Sequence, residues 1–246
     1  MNFAEFHKKG LHIRYDADIF KNIEDVSFNS KVWAQRSAIV GFAEGRGTSF
    51  FVQHHGRDFV LRHYQRGGLA AKISNEKYLW IGLRFSRPWR EWAMLEKMQS
   101  KGLPVPIPAA IQVERKWLVY QADIMMHRIP HSRTLTSILA TEELAEGYWI
   151  SIGSVIRRFH EEGVYHADLN ANNILLDEGG RCFLIDFDKC GFKKPRLKWQ
   201  KDNLLRLKRS LNKLSASNDV FYFSDMNWRS LLRGYGWSDI SDDVTI

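Results

Sequence analysis

Apolar positions change period several times along the chain, and the changes mark out its elements. Residues 37–42, 48–53 and 58–62 are short runs rich in Ile, Val and Phe, and a His-His-Gly turn separates the last two. They predict a meander of three antiparallel strands. A helix is predicted to begin near Pro88, a residue suited to a first helical turn. Trp92, Leu95 and Met98 then recur at three-residue steps, and Gly102 closes the helix. Pro104, Pro106 and Pro108 read as an extended connector, followed by a strand pair over 109–113 and 116–124. Residues 1–30 mix aromatic and charged side chains without a period and predict no element.

The second half opens helically. Thr141 is the expected cap, with Glu142 and Glu143 next to the positive helix end. Leu144, Tyr148, Ile152, Ile156 and Phe159 continue at near-helical spacing up to Gly163. Residues 173–176 and 182–185 flank a Gly-Gly turn and predict a hairpin. Strands, helix, strands, then helix and hairpin point to an α+β fold rather than a repeating βαβ sheet. Residues 125–133 carry no period, so the expected division is an N-terminal lobe of residues 1–125 and a C-terminal lobe of residues 126–246.

Composition narrows the class. At 246 residues, 44% hydrophobic and 26% charged, the chain can bury a core without disulfides or a structural metal. No long uncharged apolar run occurs and the first residues lack a signal-peptide stretch, so neither a spanning nor a secreted protein is expected. Cys182 and Cys190 fit no zinc spacing and are expected as free thiols in a reducing compartment. Thirty-six Lys and Arg against 28 Asp and Glu give a net charge of +8, which favours an anionic partner: nucleic acid, anionic lipid or a phosphorylated ligand.

The segment 166–176, His-Ala-Asp-Leu-Asn-Ala-Asn-Asn-Ile-Leu-Leu, lies between the helix end and the hairpin. Asp186-Phe187-Asp188 follows at the end of the second hairpin strand, so Asp168, Asn173 and Asp186 are carried on adjoining backbone. A carboxylate to orient a hydroxyl, with an amide oxygen and a second carboxylate for a hard divalent ion, is what phosphoryl transfer requires. The chain resembles the protein kinase-like superfamily: His166, Asp168 and Asn173 match H-x-D-x-x-x-x-N, and Asp186-Phe187 match D-F-G with Asp188 in place of Gly. The resemblance implies a bilobal fold, with an N-terminal antiparallel sheet, one main helix and a compact, mainly helical C-terminal lobe. It also implies Asp168 as catalytic base and Asn173 and Asp186 as Mg²⁺ ligands. Gly45 and Gly47 resemble the glycine-rich loop over the phosphates of ATP, with Phe50 replacing its third Gly. Arg62 stands where V-A-I-K has its lysine, and Glu91 is the expected helix partner, with Glu96 as competitor.

From Asp186 only 61 residues remain and no A-P-E tripeptide follows, a compact lobe more typical of small-molecule and sugar kinases. Segments 60–68, 78–80, 104–106, 166–175 and 185–188 resemble 3-deoxy-D-manno-octulosonic acid (Kdo) kinases, which are related to the heptose kinases. That resemblance makes Arg62 and D-F-D normal and implies ATP-dependent phosphorylation of the 4-hydroxyl of Kdo on lipid IVA. It further implies a peripheral protein on the cytoplasmic face of the bacterial inner membrane. Arg62, His63, Arg66, Arg84 and Arg87 are a candidate acceptor cluster. Residues 189–213 carry ten Lys and Arg against Asp202, interleaved with Leu204, Leu205, Leu207, Leu211 and Leu214, and are expected to form a basic amphipathic helix suited to an anionic membrane surface. A soluble-substrate phosphotransferase is the nearer alternative. A nucleic-acid-binding module is not expected, because no such motif is visible and the catalytic set would go unexplained. No obligate protein partner is inferred.

Overall fold

The computed structural model describes residues 2–43, 49–64 and 77–237. The chain forms two compact units, Met1–Glu96 with Pro106–Arg128, and Lys97–Val105 with Ile129–Ile246.

The first unit is built on an antiparallel sheet. Its strands are β1 (Phe3–Lys8), β2 (Leu11–Asp16), β3 (Ile39–Ala43), β4 (Ser49–His54), β5 (Arg57–His63), β6 (Tyr78–Leu79), β7 (Pro108–Lys116) and β8 (Val119–His127). The order is β1-β2-β7-β8-β5-β4-β3, with β6 added alongside β8. The meander and the later strand pair are therefore present as the sequence predicts. His55 and Gly56 both adopt positive φ, +47° and +73°, as a two-residue turn twisted to suit its flanking strands demands.

Alternation sends successive side chains to opposite faces of the sheet. Ile13, Leu61, Ala110 and Met125 meet Phe20, Val26 and Trp33 in one buried cluster. Short helix α1 (Ser30–Gln35) contributes that tryptophan. The other face carries Arg14 and Arg62 and receives α2 (Arg87–Ser100), whose Trp92, Leu95 and Met98 are fully buried. Trp92 meets Phe3 edge-on at 5.1 Å, and Arg14 reaches Glu96 at 3.4 Å.

Residues 1–30, for which the sequence predicts no element, form the β1–β2 hairpin and a short 3-10 turn at Ile23–Asp25. The hairpin lies at the sheet edge and β1 buries no residue completely, so its pattern has no apolar beat. Lys9 and Gly10 make its turn with φ of +44° and +85°.

The second unit is mainly helical: α3 (Leu135–Leu139), α4 (Glu146–Glu161), α5 (Leu197–Ser217) and α6 (Asp225–Tyr235). Its short strands are β9 (Ser132–Thr134), β10 (Val164–Tyr165), β11 (Ile174–Asp177), β12 (Cys182–Leu184) and β13 (Gly191–Phe192). The predicted hairpin is β11–β12, with β9 on its free edge. The helix expected from Thr141 begins later, with Ala145 as its N-cap. Thr141 instead finishes α3, its hydroxyl donating to the Ser137 and Ile138 carbonyls, and Thr134 caps α3 through the Ser137 N–H. Tyr148 stays partly exposed, whereas Ile152, Ile156 and Phe159 are buried as expected.

Helices α4 and α6 touch through glycine on both sides. A Cβ on Gly153 would lie 1.9 Å from the Leu231 carbonyl oxygen, and one on Gly234 would lie 2.0 Å from that of Ile150. Both backbones need the missing side chain to approach this closely.

His160 of α4 is 1% exposed, with Nδ1 2.8 Å from the Tyr235 hydroxyl of α6. Burial pushes its pKa down to about 4. The unfolded chain, titrating near pH 6.5, therefore takes up this proton first as pH falls. Stability from the neutral ring is complete above about pH 6.5 and declines toward pH 4, by about 2 kcal/mol between pH 6.5 and 5. Urea unfolding across that range should show the decline, and His160→Gln should remove His160's share of the slope.

Candidate active site

The chain enters the loop 166–173 from α4 by way of Gly163, whose φ is +74°. A Cβ there would lie 2.5 Å from the Lys193 carbonyl oxygen, because β10 pairs with β13 immediately beyond. At the far end the loop runs into β11, and the Ile185 N–H donates to the Asn173 carbonyl at 3.0 Å. Both ends are thus tied to the backbone on either side of Asp186-Phe187-Asp188.

His166, 2% exposed, joins the same two segments from inside. Its Nδ1 accepts the Asp168 N–H at 3.3 Å, which leaves the proton on Nε2 to donate to the Ile185 carbonyl at 2.9 Å. Burial is the largest influence on the ring and holds its pKa below the ordinary histidine value. The Ile185 hydrogen bond and the charges of Asp186 and Asp168 pull the other way. The Asp168 carbonyl accepts from both Asn170 Nδ2 and Asn173 Nδ2 at 2.9 Å. With its nitrogen committed, the Asn173 amide keeps Oδ1 as its acceptor end.

Asp186 has φ of +65°, a left-handed conformation that costs a non-glycine residue roughly 1–2 kcal/mol. Its neighbours hold it there. Phe187 is 1% exposed, stacks on Phe159 with centroids 6.0 Å apart and tilts against His166 at 5.0 Å. The Cys190 N–H donates to the Phe187 carbonyl at 3.0 Å.

In the first unit Arg62 projects from β5 toward α2. Its Nη2 lies 2.8 and 2.6 Å from the two oxygens of Glu91, which is 1% exposed, and the Tyr64 hydroxyl donates to the same carboxylate. Of the two glutamates considered from the sequence, Glu91 meets Arg62 and Glu96 meets Arg14.

Residues 30–235 match the Lipopolysaccharide kinase (Kdo/WaaP) family. The chain belongs to that family. A 3-deoxy-D-manno-octulosonic acid kinase of Photobacterium damsela subsp. piscicida is 38% identical over 226 residues, covering 92% of this chain and 93% of its own. The enzyme of the same name from Haemophilus influenzae (strain PittEE) is 38% identical over 216 residues, 85% of this chain and 89% of its own. That of Actinobacillus succinogenes (strain ATCC 55618 / DSM 22257 / CCUG 43843 / 130Z) is 40% identical over 215 residues, with the same two shares.

For a kinase of the Kdo/WaaP family the donor set suits its chemistry. Among the described residues no group of three His, Cys, Asp or Glu is placed to cage a metal. One amide oxygen and one carboxylate are hard donors of the kind that bind Mg²⁺ together with water and phosphate oxygens rather than alone. Gly45, Gly47 and Arg66 lie outside the described residues.

The candidate acceptor cluster divides. Arg62 and Arg87 approach the Tyr64 ring at 5.0 and 5.8 Å. His63, the next residue on the strand, faces the opposite side of the sheet, where its Nδ1 is 2.7 Å from Asp123. Arg84 is exposed in a 3-10 turn.

Helix α5 corrects another expectation. Leu204, Leu207 and Leu211 are buried in the second unit, so the apolar stripe is core rather than a face for lipid. The helix also braces the loop 166–173: Asn203 Oδ1 accepts the His166 N–H at 3.3 Å and Ser210 Oγ the Ala171 N–H at 3.4 Å. Asn203 and Ser210, polar residues seven apart within the leucine pattern, were the available signal.

Glu91→Ala removes the carboxylate that two side chains converge on and should destabilise the chain by about 3 kcal/mol. Arg62→Met with Glu91→Leu should recover most of that loss. Urea unfolding of the single and double variants measures both.

Proposed function

We propose that the chain transfers the γ-phosphate of ATP to the 4-hydroxyl of Kdo on lipid IVA, a step in building the lipopolysaccharide inner core. One observation carries the reading. The loop with Asp168 and Asn173 is bound through His166 to the strand end leading into Asp186, in a chain that belongs to a lipopolysaccharide kinase family. The names and coverage of its relatives support Kdo as the sugar.

In this reading Asp168 accepts a hydrogen bond from the acceptor hydroxyl and aims its oxygen at the γ-phosphorus. Asn173 and Asp186 hold Mg²⁺, which when bound neutralises charge on the phosphate oxygens. Arg62, steadied by Glu91, and the backbone of Gly45 and Gly47 bind the phosphates of the nucleotide. Residues 1–125 act as the nucleotide-binding lobe and 126–246 as the catalytic and acceptor lobe. Buried and neutral, His166 orients the loop and takes no proton in the reaction. Positioning and charge supply most of the acceleration, since phosphoryl transfer asks for little covalent assistance.

A lipid acceptor requires the enzyme to work at a membrane surface, here the cytoplasmic face of the bacterial inner membrane. Among the described residues no helix is long and apolar enough to cross a membrane. Peripheral attachment is supported by Lys194, Arg196 and Lys198, exposed around a Leu197 that is 71% exposed. Attachment of this kind is electrostatic first, so binding to vesicles containing phosphatidylglycerol should weaken steeply with added salt, whereas neutral vesicles should bind little. Salt-independent binding to neutral vesicles would contradict it.

The decisive assay follows labelled γ-phosphate from ATP to Kdo-lipid IVA. Wild type should label the lipid, and Asp168→Ala should lose transfer by about 10³-fold or more while ATP affinity stays nearly unchanged. Label appearing only on another sugar would replace the acceptor, and a variant that loses ATP affinity but keeps turnover would remove Asp168 from its role.

A further inference from the structure

Residues 166–173 contain no Lys or Arg, although a carboxylate that works beside a transferring phosphoryl group sits among negative charges. Helix α5 brings a cation to it. Asn203, Arg206 and Ser210 are spaced three and four apart and so share one helix face. The outer two hold the backbone at His166 and Ala171, as described above. Between them, Arg206 Nη1 lies 3.5 Å from Asp168 Oδ1. That is an ion-pair distance, longer than a charged hydrogen bond, and such contacts commonly tighten only when substrate arrives.

The pair does little for stability. The side chains of Arg206 and Asp168 are 45% and 36% exposed, and solvent screening leaves such pairs nearly neutral to folding. Its effect is geometric. A guanidinium is planar, permanently charged and carries five donors, so an edge against Oδ1 restricts how the Asp168 carboxylate can turn. The helix behind it is anchored by the buried Asn203, Leu204 and Leu207. The direction of the Asp168 side chain is thus referred to α5 and not only to its own loop.

We propose that Arg206 is the positioning residue for Asp168: it holds the carboxylate toward the acceptor hydroxyl and offsets its charge as the phosphoryl group approaches. The proposal rests on the reading of Asp168 as the base. It gives a basic residue of α5 a task inside the active site, separate from any attraction to a membrane.

The test measures ATP-dependent phosphorylation of Kdo-lipid IVA with wild type, Arg206→Ala, Arg206→Lys and, as a charge control, Lys213→Ala. Arg206→Ala should lower kcat about 10²-fold, with KM for ATP and for acceptor changed less than about threefold. Its Tm should stay within about 2 °C of wild type. Arg206→Lys should restore part of kcat, and added guanidinium ion should partly rescue Arg206→Ala where sodium chloride of equal ionic strength does not. Lys213→Ala should match wild type. An unimpaired Arg206→Ala, a loss confined to KM, or a loss that follows a falling Tm would each overturn the proposal. Wild type that transfers phosphate to no acceptor would remove the kinase reading and the proposal together, whereas active wild type beside an unimpaired Arg206→Ala removes the proposal alone.

Discussion

The His166 imidazole acts as acceptor on one side and donor on the other, and the candidate site depends on its doing both at once. Nδ1 takes the Asp168 N–H while Nε2 gives its proton to the Ile185 carbonyl, so one ring sets the backbone under Asp168 against the strand end before Asp186. Only the neutral Nε2–H form can do this. Burial enforces neutrality by making the imidazolium costly, and it prevails over the two aspartates that would otherwise draw a second proton to the ring. Aromatic packing keeps that ring dry. Phe187 leans on it, Phe159 backs Phe187, and the Asn203 side chain accepts the backbone N–H of His166.

The left-handed Asp186 follows from the same packing. Once Phe187 is committed to the interior and Ile185 to Asn173, the intervening residue has little freedom left, and the surrounding contacts bear the cost of its conformation. The first unit makes a comparable trade. Glu91 is buried to 1% exposure, which is tolerable because Arg62 and Tyr64 both turn to it. In each unit a costly group is held by partners that leave it one orientation.

The sequence revealed these features unevenly, and the reasons are physical. The loop and hairpin that carry Asp168, Asn173 and Asp186 were legible because short spacings between a helix end and a Gly-Gly turn leave few other ways to fold them. Glu91 was legible as Arg62's partner, but not for the reason given by its spacing: α2 begins at Arg87, and Glu91 lies in its second turn rather than at its start. The β1–β2 hairpin was not, because an edge strand with solvent on its outer side needs no apolar alternation. Thr141 misled as a cap because a hydroxyl can serve the end of one helix as readily as the start of the next. The basic run after Asp188 was read by its charge, yet its position was decided by Leu204, Leu207 and Leu211, which bury themselves and carry Asn203 and Ser210 to the loop.

The glycine contact between α4 and α6 has a topological consequence. Glu161 ends one helix and Asp225 begins the other, and the intervening chain contains Asp168, Asn173, Asp186 and all of α5. Backbone-to-backbone contact at Gly153 and Gly234 therefore closes a long loop that contains every candidate site residue of the second unit. Closing it carries an entropy cost that grows only slowly with length, so the length of the enclosed chain adds little to what the clasp must offset. A methyl group at either glycine would force the clasp apart, and its effect would reach the chemistry through chain closure, without touching any residue of the site.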